Sequence, residues 1–295
     1  MPFIETYRGT VNRWEVDNVD HFTVAFYFAR LEDATAGLLD AIGLGRDALI
    51  ASGRAVSLVD CRVRYLKELR VGDILHIQSG VIRMDDDSLT IGHEVHDSGE
   101  GKLCTAVEQR MQLVKPGTGD PLRFGPETRA AAEPYRVDWQ GEPAPTSQHP
   151  PAGDDTGFID TARDVVKPSE IDAFGLAAIS AYIHRFSAAN AHVLAAFGLT
   201  PAYLRDKGRG LSTFEFRLAF TGVLREGDVA RVRSGLLHVG TSSMRILHRM
   251  TNGRTGALVS TLEQAGVHLD TAARRPAPLP DELRARARAM LLLGK

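Results

Sequence analysis

The chain has 295 residues, 43% of them hydrophobic and 24% charged, with a formal net charge of −2. That balance excludes a disordered chain and suits a globular one with a sizeable core, and the length points to two domains of about 100–200 residues. The small charge leaves no electrostatic footprint for nucleic acid or an anionic membrane.

The opening stretch MPFIETYRGTVNRWEVD lacks the basic start and apolar core of an export signal. No run approaches the roughly 18 apolar residues of a membrane span, so a cytoplasmic location is expected. Next, GTVNRWEV alternates as an entering strand would. A short polar loop carries Asp17, Asp20 and His21. TVAFYFARLEDATAGLLDAIGLG then stays apolar on nearly every face for about five turns, which predicts a long helix wrapped by other structure. RAVSLVDCRVRYLKEL alternates with period two, and GDILHIQSGVIRM, SLTIGHEVHDS and KLCTAVEQRMQLV follow as strands between Gly, Asp and Ser turns. One buried helix followed by an antiparallel meander is an α+β arrangement, with the meander curling around the helix.

A shift of 155 residues, which lays Asp17 on Asp172, aligns the two halves without a gap. Tyr27 meets Tyr182, Arg30 meets Arg185, and SGRAVS meets KGRGLS, placing Arg54 on Arg209. LRVGDILHIQSG meets LREGDVARVRSG, His93 meets His248, and Glu108-Gln109 meets Glu263-Gln264. Two copies of one domain are expected, over residues 1–133 and 156–295. The Pro-, Gly- and Ser-rich stretch 134–155 would be the linker between them.

In each copy an Asp, Asp17 or Asp172, stands in the loop ahead of the helix. Free N–H groups at a helix start favour anions and can hold the oxyanion of an attacked carbonyl, while a carboxylate in reach can attack or activate water. The structural alternative is a helix cap, but Asp17 stands about six residues before the predicted start, which weakens that reading and makes Thr23 or Asp20 the better cap. His21 could hydrogen-bond the carboxylate or a substrate. His93 and His248, on matching strands, read as a shared packing solution. Asp60 and Glu215 read as cross-strand residues. Cys61 and Cys104 read as reduced, buried thiols, and a cysteine nucleophile would need a base such as His93 or His96. No Gly-rich phosphate loop, Cys-x-x-Cys pair or His-x-x-x-His spacing occurs.

The loop resembles the Asp-x-x-Gly-His-Val-Asn-x-x-x-Tyr motif of hotdog-fold acyl-CoA thioesterases of the 4-hydroxybenzoyl-CoA thioesterase type. Asp17, His21 and Tyr27 match it in the first copy, and Asp172, Gly175 and Tyr182 in the second. YLKELRVGDIL and LREGDVA resemble the family's Gly-Asp turn. The resemblance covers nearly the whole chain outside the linker. It implies two tandem hotdog domains, each a curved antiparallel sheet around a long helix, pairing as a pseudo-dimer. It also implies hydrolysis of an acyl-CoA to free acid and CoA, with no metal or cofactor beyond the CoA of the substrate.

By the same resemblance Asp17 or Asp172 is the nucleophile or general base, with Asp17 favoured because fused pairs often keep one working site. The polarising N–H groups would come from Phe22, Thr23 and Val24, and from Leu176, Ala177 and Ala178. Tyr27 and Tyr182 would be core aromatics at the pocket edge, and Arg54 and Arg209 would contact phosphates. The motif Gly is Asp20 in the first copy, which adds charge beside Asp17 and suits either acid–base chemistry or a cationic acyl group. In the second copy the motif His is Leu176. Such a chain could pair again as a homodimer. The rival readings are a hotdog enoyl-thioester hydratase or dehydratase, an acyl-carrier-protein thioesterase, and a non-catalytic acyl-CoA binding module.

Overall fold

The first copy runs as strand, helix and meander, and the second repeats it element for element in a computed structural model that describes residues 3–17, 19–141, 148–151 and 153–292. The elements are β1 (Ile4–Thr10), α1 (Val24–Ala41), α2 (Arg46–Ala51), β2 (Ala55–Tyr65), β3 (Ile74–Met84), β4 (Leu89–Asp97), β5 (Lys102–Val114), β6 (Pro121–Leu122) and α3 (Pro126–Ala132). Their counterparts are β7 (Ile159–Val165), α4 (Ile179–Ala196), α5 (Pro201–Asp206), β8 (Arg209–Phe220), β9 (Val229–Val239), β10 (Ser243–Asn252), β11 (Leu258–Asp270), β12 (Arg275–Pro276) and α6 (Asp281–Arg288). By contacts the chain divides into Met1–Glu142 with Asp172–Ser180, and Pro143–Ile171 with Ala181–Lys295.

In the first unit the antiparallel order is β1-β3-β4-β5-β2, and in the second it is β7-β9-β10-β11-β8. Four register shifts recur at matching positions. The one between Glu5 and Tyr7 is repeated between Asp160 and Ala162, and the one between Val95 and His96 is repeated between Met250 and Thr251. Bulges of this kind bend a sheet, so shared bulges give both sheets the same curl.

Helix α1 buries Ala25, Phe28, Leu31, Ala34 and Leu38, a three-to-four spacing that lays one apolar stripe on the sheet. Its C-terminal end joins Ile42, Leu44, Leu49, Ile91, Leu113 and Phe124 in one cluster, and Phe174 packs against it. In the second unit Val193, Phe197, Leu199, Leu236 and Ile246 form the matching cluster.

Two expectations are corrected. The entering strand is not Gly9–Val16: β1 stops at Thr10, and Arg13–Glu15 winds into a 3-10 turn. The reason is Glu15, which is buried and folds back to accept the N–H of Asn12 and to pair with Arg30 of α1. The identical turn Pro168–Glu170 closes on Arg185. Glu215, read as a cross-strand residue at the surface, is also buried and pairs with Arg217.

The stretch expected as a linker begins with residues that pack on the first unit. Val137 donates to the Val81 carbonyl, and Trp139 lies where a Cβ on Gly92 would come within 2.7 Å of its ring. Leu292 does the same at Gly235 and Leu236 in the second unit. Residues 142–147 and 152 of that stretch lie outside the described residues. Among the described residues no helix is long and apolar enough to cross a membrane.

Candidate active site

The two motif loops have one construction. Asp17 Oδ1 accepts the backbone N–H groups of Val19 at 2.9 Å and His21 at 3.0 Å, and Asp172 Oδ1 accepts those of Phe174 at 2.8 Å and Leu176 at 3.0 Å. Each Asp therefore ties down its own loop through one oxygen, and each is exposed. The loop needs one residue with positive φ. Gly175 supplies it at 78°, and Asp20 supplies it at 60° where the motif has Gly. Aspartate is among the few side chains that tolerate this region. Asp20 also pairs with Arg13 at 2.7 Å across the exposed surface.

The loops settle the remaining expected residues as follows. The His21 ring pairs with Glu68 at 2.7 Å, while its backbone N–H donates to Asp17 Oδ1 at 3.0 Å and its carbonyl accepts the Asp17 N–H at 2.9 Å. Tyr27 and Tyr182 are buried, and the Tyr182 hydroxyl accepts the Leu224 N–H at 2.9 Å. Burial pushes the Tyr27 hydroxyl well above its ordinary pKa. Arg54 bonds Ser52 at 2.8 Å, whereas Arg209 pairs with Asp270.

Three of the expected polarising N–H groups are taken up within the protein. The Phe22 N–H donates to the Leu69 carbonyl at 2.7 Å and the Thr23 N–H to the Glu15 carbonyl at 2.8 Å, so neither can hold a substrate oxygen. The Leu176 N–H is likewise held by Asp172. Ala177 is buried. The donors that meet an anion come next, at the first turn of α4, whose N–H groups have no intrahelical acceptor. Ile179 and Ser180 donate their N–H groups to Glu32 Oε1 at 2.5 and 3.2 Å, and the Ser180 hydroxyl donates to Oε2 at 2.9 Å.

Glu32 stands in the middle of α1, one residue beyond fully buried Leu31. Burial raises its pKa above the ordinary carboxylate value, and neighbouring Asp33 adds to the rise, against the opposing hydrogen bonds from Ser180 and Ile179. A half-buried carboxylate with a raised pKa, seated on free helix-start donors, has the properties of a general base beside an anion site. The sequence reading missed it. The available signal was an acid inside the apolar run FARLEDATAGLL, at a position where the second copy has Ser187.

The other titratable candidates are buried. His93 and His248 are fully buried, and burial pushes them down to about 4 and about 3. Each Nδ1 meets a serine, Ser79 or Ser234, at 2.6 Å. Cys61 and Cys104 are unpaired and buried, and burial raises both thiols above their ordinary range. Among the described residues no group of three or more His, Cys, Asp or Glu is placed to hold a metal ion.

A curled antiparallel sheet on one long helix, present twice, defines a tandem hotdog fold. Residues 11–132 and 166–287 each match the thioesterase-like superfamily, and the chain belongs to it. A betainyl-CoA thioesterase of Pseudomonas aeruginosa is 28% identical over 111 residues, 38% of this chain and 70% of that protein. An L-carnitine dehydrogenase/betainyl-CoA thioesterase of Rhizobium meliloti is 26% identical over 124 residues, 42% of this chain but only 25% of that one. Among solved structures, a putative oleoyl thioesterase of Lactobacillus plantarum superposes with a TM-score of 0.71 at 11% identity, covering 95% of this chain and 98% of its own. The 12:0-ACP thioesterase of Umbellularia californica does so at 0.70 and 12% identity, covering 89% and 93%. At such identities these likenesses speak for the fold.

Proposed function

We propose that the chain hydrolyses an acyl-CoA thioester to the free acid and CoA, with Glu32 as the base. The observation that carries the reading is the Glu32 carboxylate seated on the Ile179 and Ser180 N–H groups. An incoming thioester oxygen would take over those donors, leaving the displaced carboxylate within contact range of the carbonyl carbon, about 3–3.5 Å. A water between them gives its proton to Glu32 as its oxygen bonds to that carbon. The two N–H groups hold the oxyanion, an effect worth about a hundredfold or more per donor. Collapse breaks the C–S bond, and the proton passes from Glu32 to the leaving thiolate. A raised pKa makes Glu32 a stronger base than an exposed carboxylate.

The loops take part in the same proposal. Asp17 and Asp172 keep Oδ2 for a water or the substrate, His21 and Asp20 border the first loop, and Arg54 and Arg209 meet the CoA phosphates. Pairing of two chains and a cytoplasmic location belong to the proposal too. The named relatives make betainyl-CoA, with its cationic acyl group, the first substrate to test.

The test is release of free thiol from a panel of betainyl-, short aliphatic, long-chain and aromatic acyl-CoA, with acyl-carrier-protein thioesters alongside. Steady turnover of at least one CoA thioester is expected. Binding without thiol release across the panel would sink the reading in favour of a binding module. Addition of water to an enoyl-CoA would favour a hydratase.

A further inference from the structure

A cleft of about 250 Å³ opens beside α4 in the second unit, bounded by Ala162 and Arg163 of β7 and by His184, Arg185, Ala188 and His192 of the helix. The first repeat shows what normally fills this place. There the residue matching Ala162 is Tyr7, and its ring centroid lies 5.5 Å from the Arg30 guanidinium. That separation is within the range of a cation–π contact. The residue matching Asp164 is Gly9, where a Cβ would lie 2.3 Å from the Tyr7 hydroxyl. Tyrosine with glycine and alanine with aspartate are thus alternative solutions: the second repeat gains a carboxylate for its arginine and gives up the ring. The positions that become His184, Ala188 and His192 are Ala29, Asp33 and Gly37 in the first repeat.

The state of Arg185 decides what the cleft can bind. A guanidinium has five N–H donors, all in its plane. Nε donates to Asp164 at 2.7 Å; Nη1 donates to Glu170 at 3.1 Å and to the Ala181 carbonyl at 2.8 Å; Nη2 donates to Glu170 at 2.8 Å and to the Val165 carbonyl at 3.3 Å. Its edge is fully used, so it cannot clamp a carboxylate or phosphate. Its face is what remains, held flat by two carboxylates. A face of this kind stacks on a π system. Two alanines leave room for a ring, two exposed imidazoles flank it, and exposed Arg163 adds a cation at the rim.

We propose that this cleft binds a small planar aromatic ring carrying an anionic group, the ring on Arg185 where the first repeat keeps Tyr7 and the anion at Arg163. The chemistry fits a free aryl carboxylate or the nucleotide end of a coenzyme such as CoA, and the site stands independently of the hydrolysis proposal. The test is isothermal titration calorimetry of the full chain with benzoate, with cyclohexanecarboxylate as its non-aromatic twin, and with adenosine 3′,5′-bisphosphate. Ala188→Met fills the cleft from an exposed helix position with a good helix former, and Arg163→Ala removes the rim cation. Benzoate or the bisphosphate should bind saturably and about tenfold more tightly than cyclohexanecarboxylate, and Ala188→Met should weaken binding by at least about tenfold. Saturation by benzoate assigns the aryl acid, and saturation by the bisphosphate alone assigns the nucleotide. The proposal is overturned if neither saturates or if the ring and its saturated analogue bind alike. It is equally overturned if folded Ala188→Met, verified by circular dichroism, or Arg163→Ala binds like the wild type.

Discussion

Among the described residues the two repeats share their α-helices, strands and bulges, yet they differ where chemistry would be done. Position 32 is a glutamate on α1, and its counterpart on α4 is Ser187, whose buried hydroxyl has no hydrogen-bond partner among the described residues. Position 7 is a tyrosine covering an arginine, and its counterpart is Ala162 beside a cleft. Position 20 is an aspartate forced into a left-handed conformation, and its counterpart is Gly175. Scaffold positions are therefore constrained in both copies alike, whereas site positions have been free to diverge. The proposed base lies in one repeat and the proposed cleft in the other.

The twin ion pairs at the 3-10 turns sharpen this comparison first. The Arg185 side chain is 4% exposed and pairs with both Asp164 and Glu170, whereas that of Arg30 is 22% exposed and pairs with Glu15. Arg30→Ala strands the buried Glu15 carboxylate and should destabilise by about 3–5 kcal/mol, whereas Arg185→Ala leaves the exposed Asp164 and the half-buried Glu170 and should cost clearly less. Chemical denaturation of both variants checks this, and equal losses would erase the distinction between the turns.

The buried histidines come next. Their folded pKa values, about 4 for His93 and about 3 for His248, lie below the unfolded value near 6.5, so the unfolded chain takes up protons first. Their contribution is complete above pH 6.5 and is lost as pH falls toward 4 and 3, on the order of 3 kcal/mol for each by pH 4. His93→Gln and His248→Gln should each flatten the slope of unfolding free energy against pH in that window. An unchanged slope would show that these rings are protonated in the folded state.

The smallest effect concerns the motif loops. Gly175→Ala places a Cβ in a left-handed conformation and should cost about 1–2 kcal/mol, while Asp20→Gly relieves the same strain and should change stability by no more than about 0.5 kcal/mol. A thermal melt of each distinguishes them. A large loss in Asp20→Gly would mean that the exposed Arg13 pair matters more than such pairs usually do.

Much of this was legible in the sequence. The ungapped shift exposed the duplication because turn glycines such as Gly72 and Gly227, both at positive φ, tolerate few replacements. Alternation located β2 to β5 and apolar periodicity located α1. The 3-10 turn was not legible, because WEV alternates like a strand and only the tertiary pair Glu15–Arg30 pulls it aside. Glu32 was missed for a related reason: its meaning depends on donors at Ile179 and Ser180, 147 and 148 residues away along the chain. The cleft was equally hidden, since an Ala in place of a Tyr carries no local signal until Arg185 is seen beneath it.

The most direct test of the central claim is kcat/KM for CoA-thioester hydrolysis against pH in wild type, Glu32→Gln, Asp17→Asn and Asp172→Asn. Glutamine preserves the shape at the α4 start and removes a partly desolvated charge, so that variant should remain at least as stable as the wild type at neutral pH. It should lose about 10²–10⁴-fold in kcat/KM together with the acid limb of the wild-type profile. That limb should lie above the ordinary carboxylate value of 4.5, as the raised Glu32 pKa requires. Full activity in Glu32→Gln, with the loss appearing in Asp17→Asn or Asp172→Asn, would contradict the account and return the base to the motif loops.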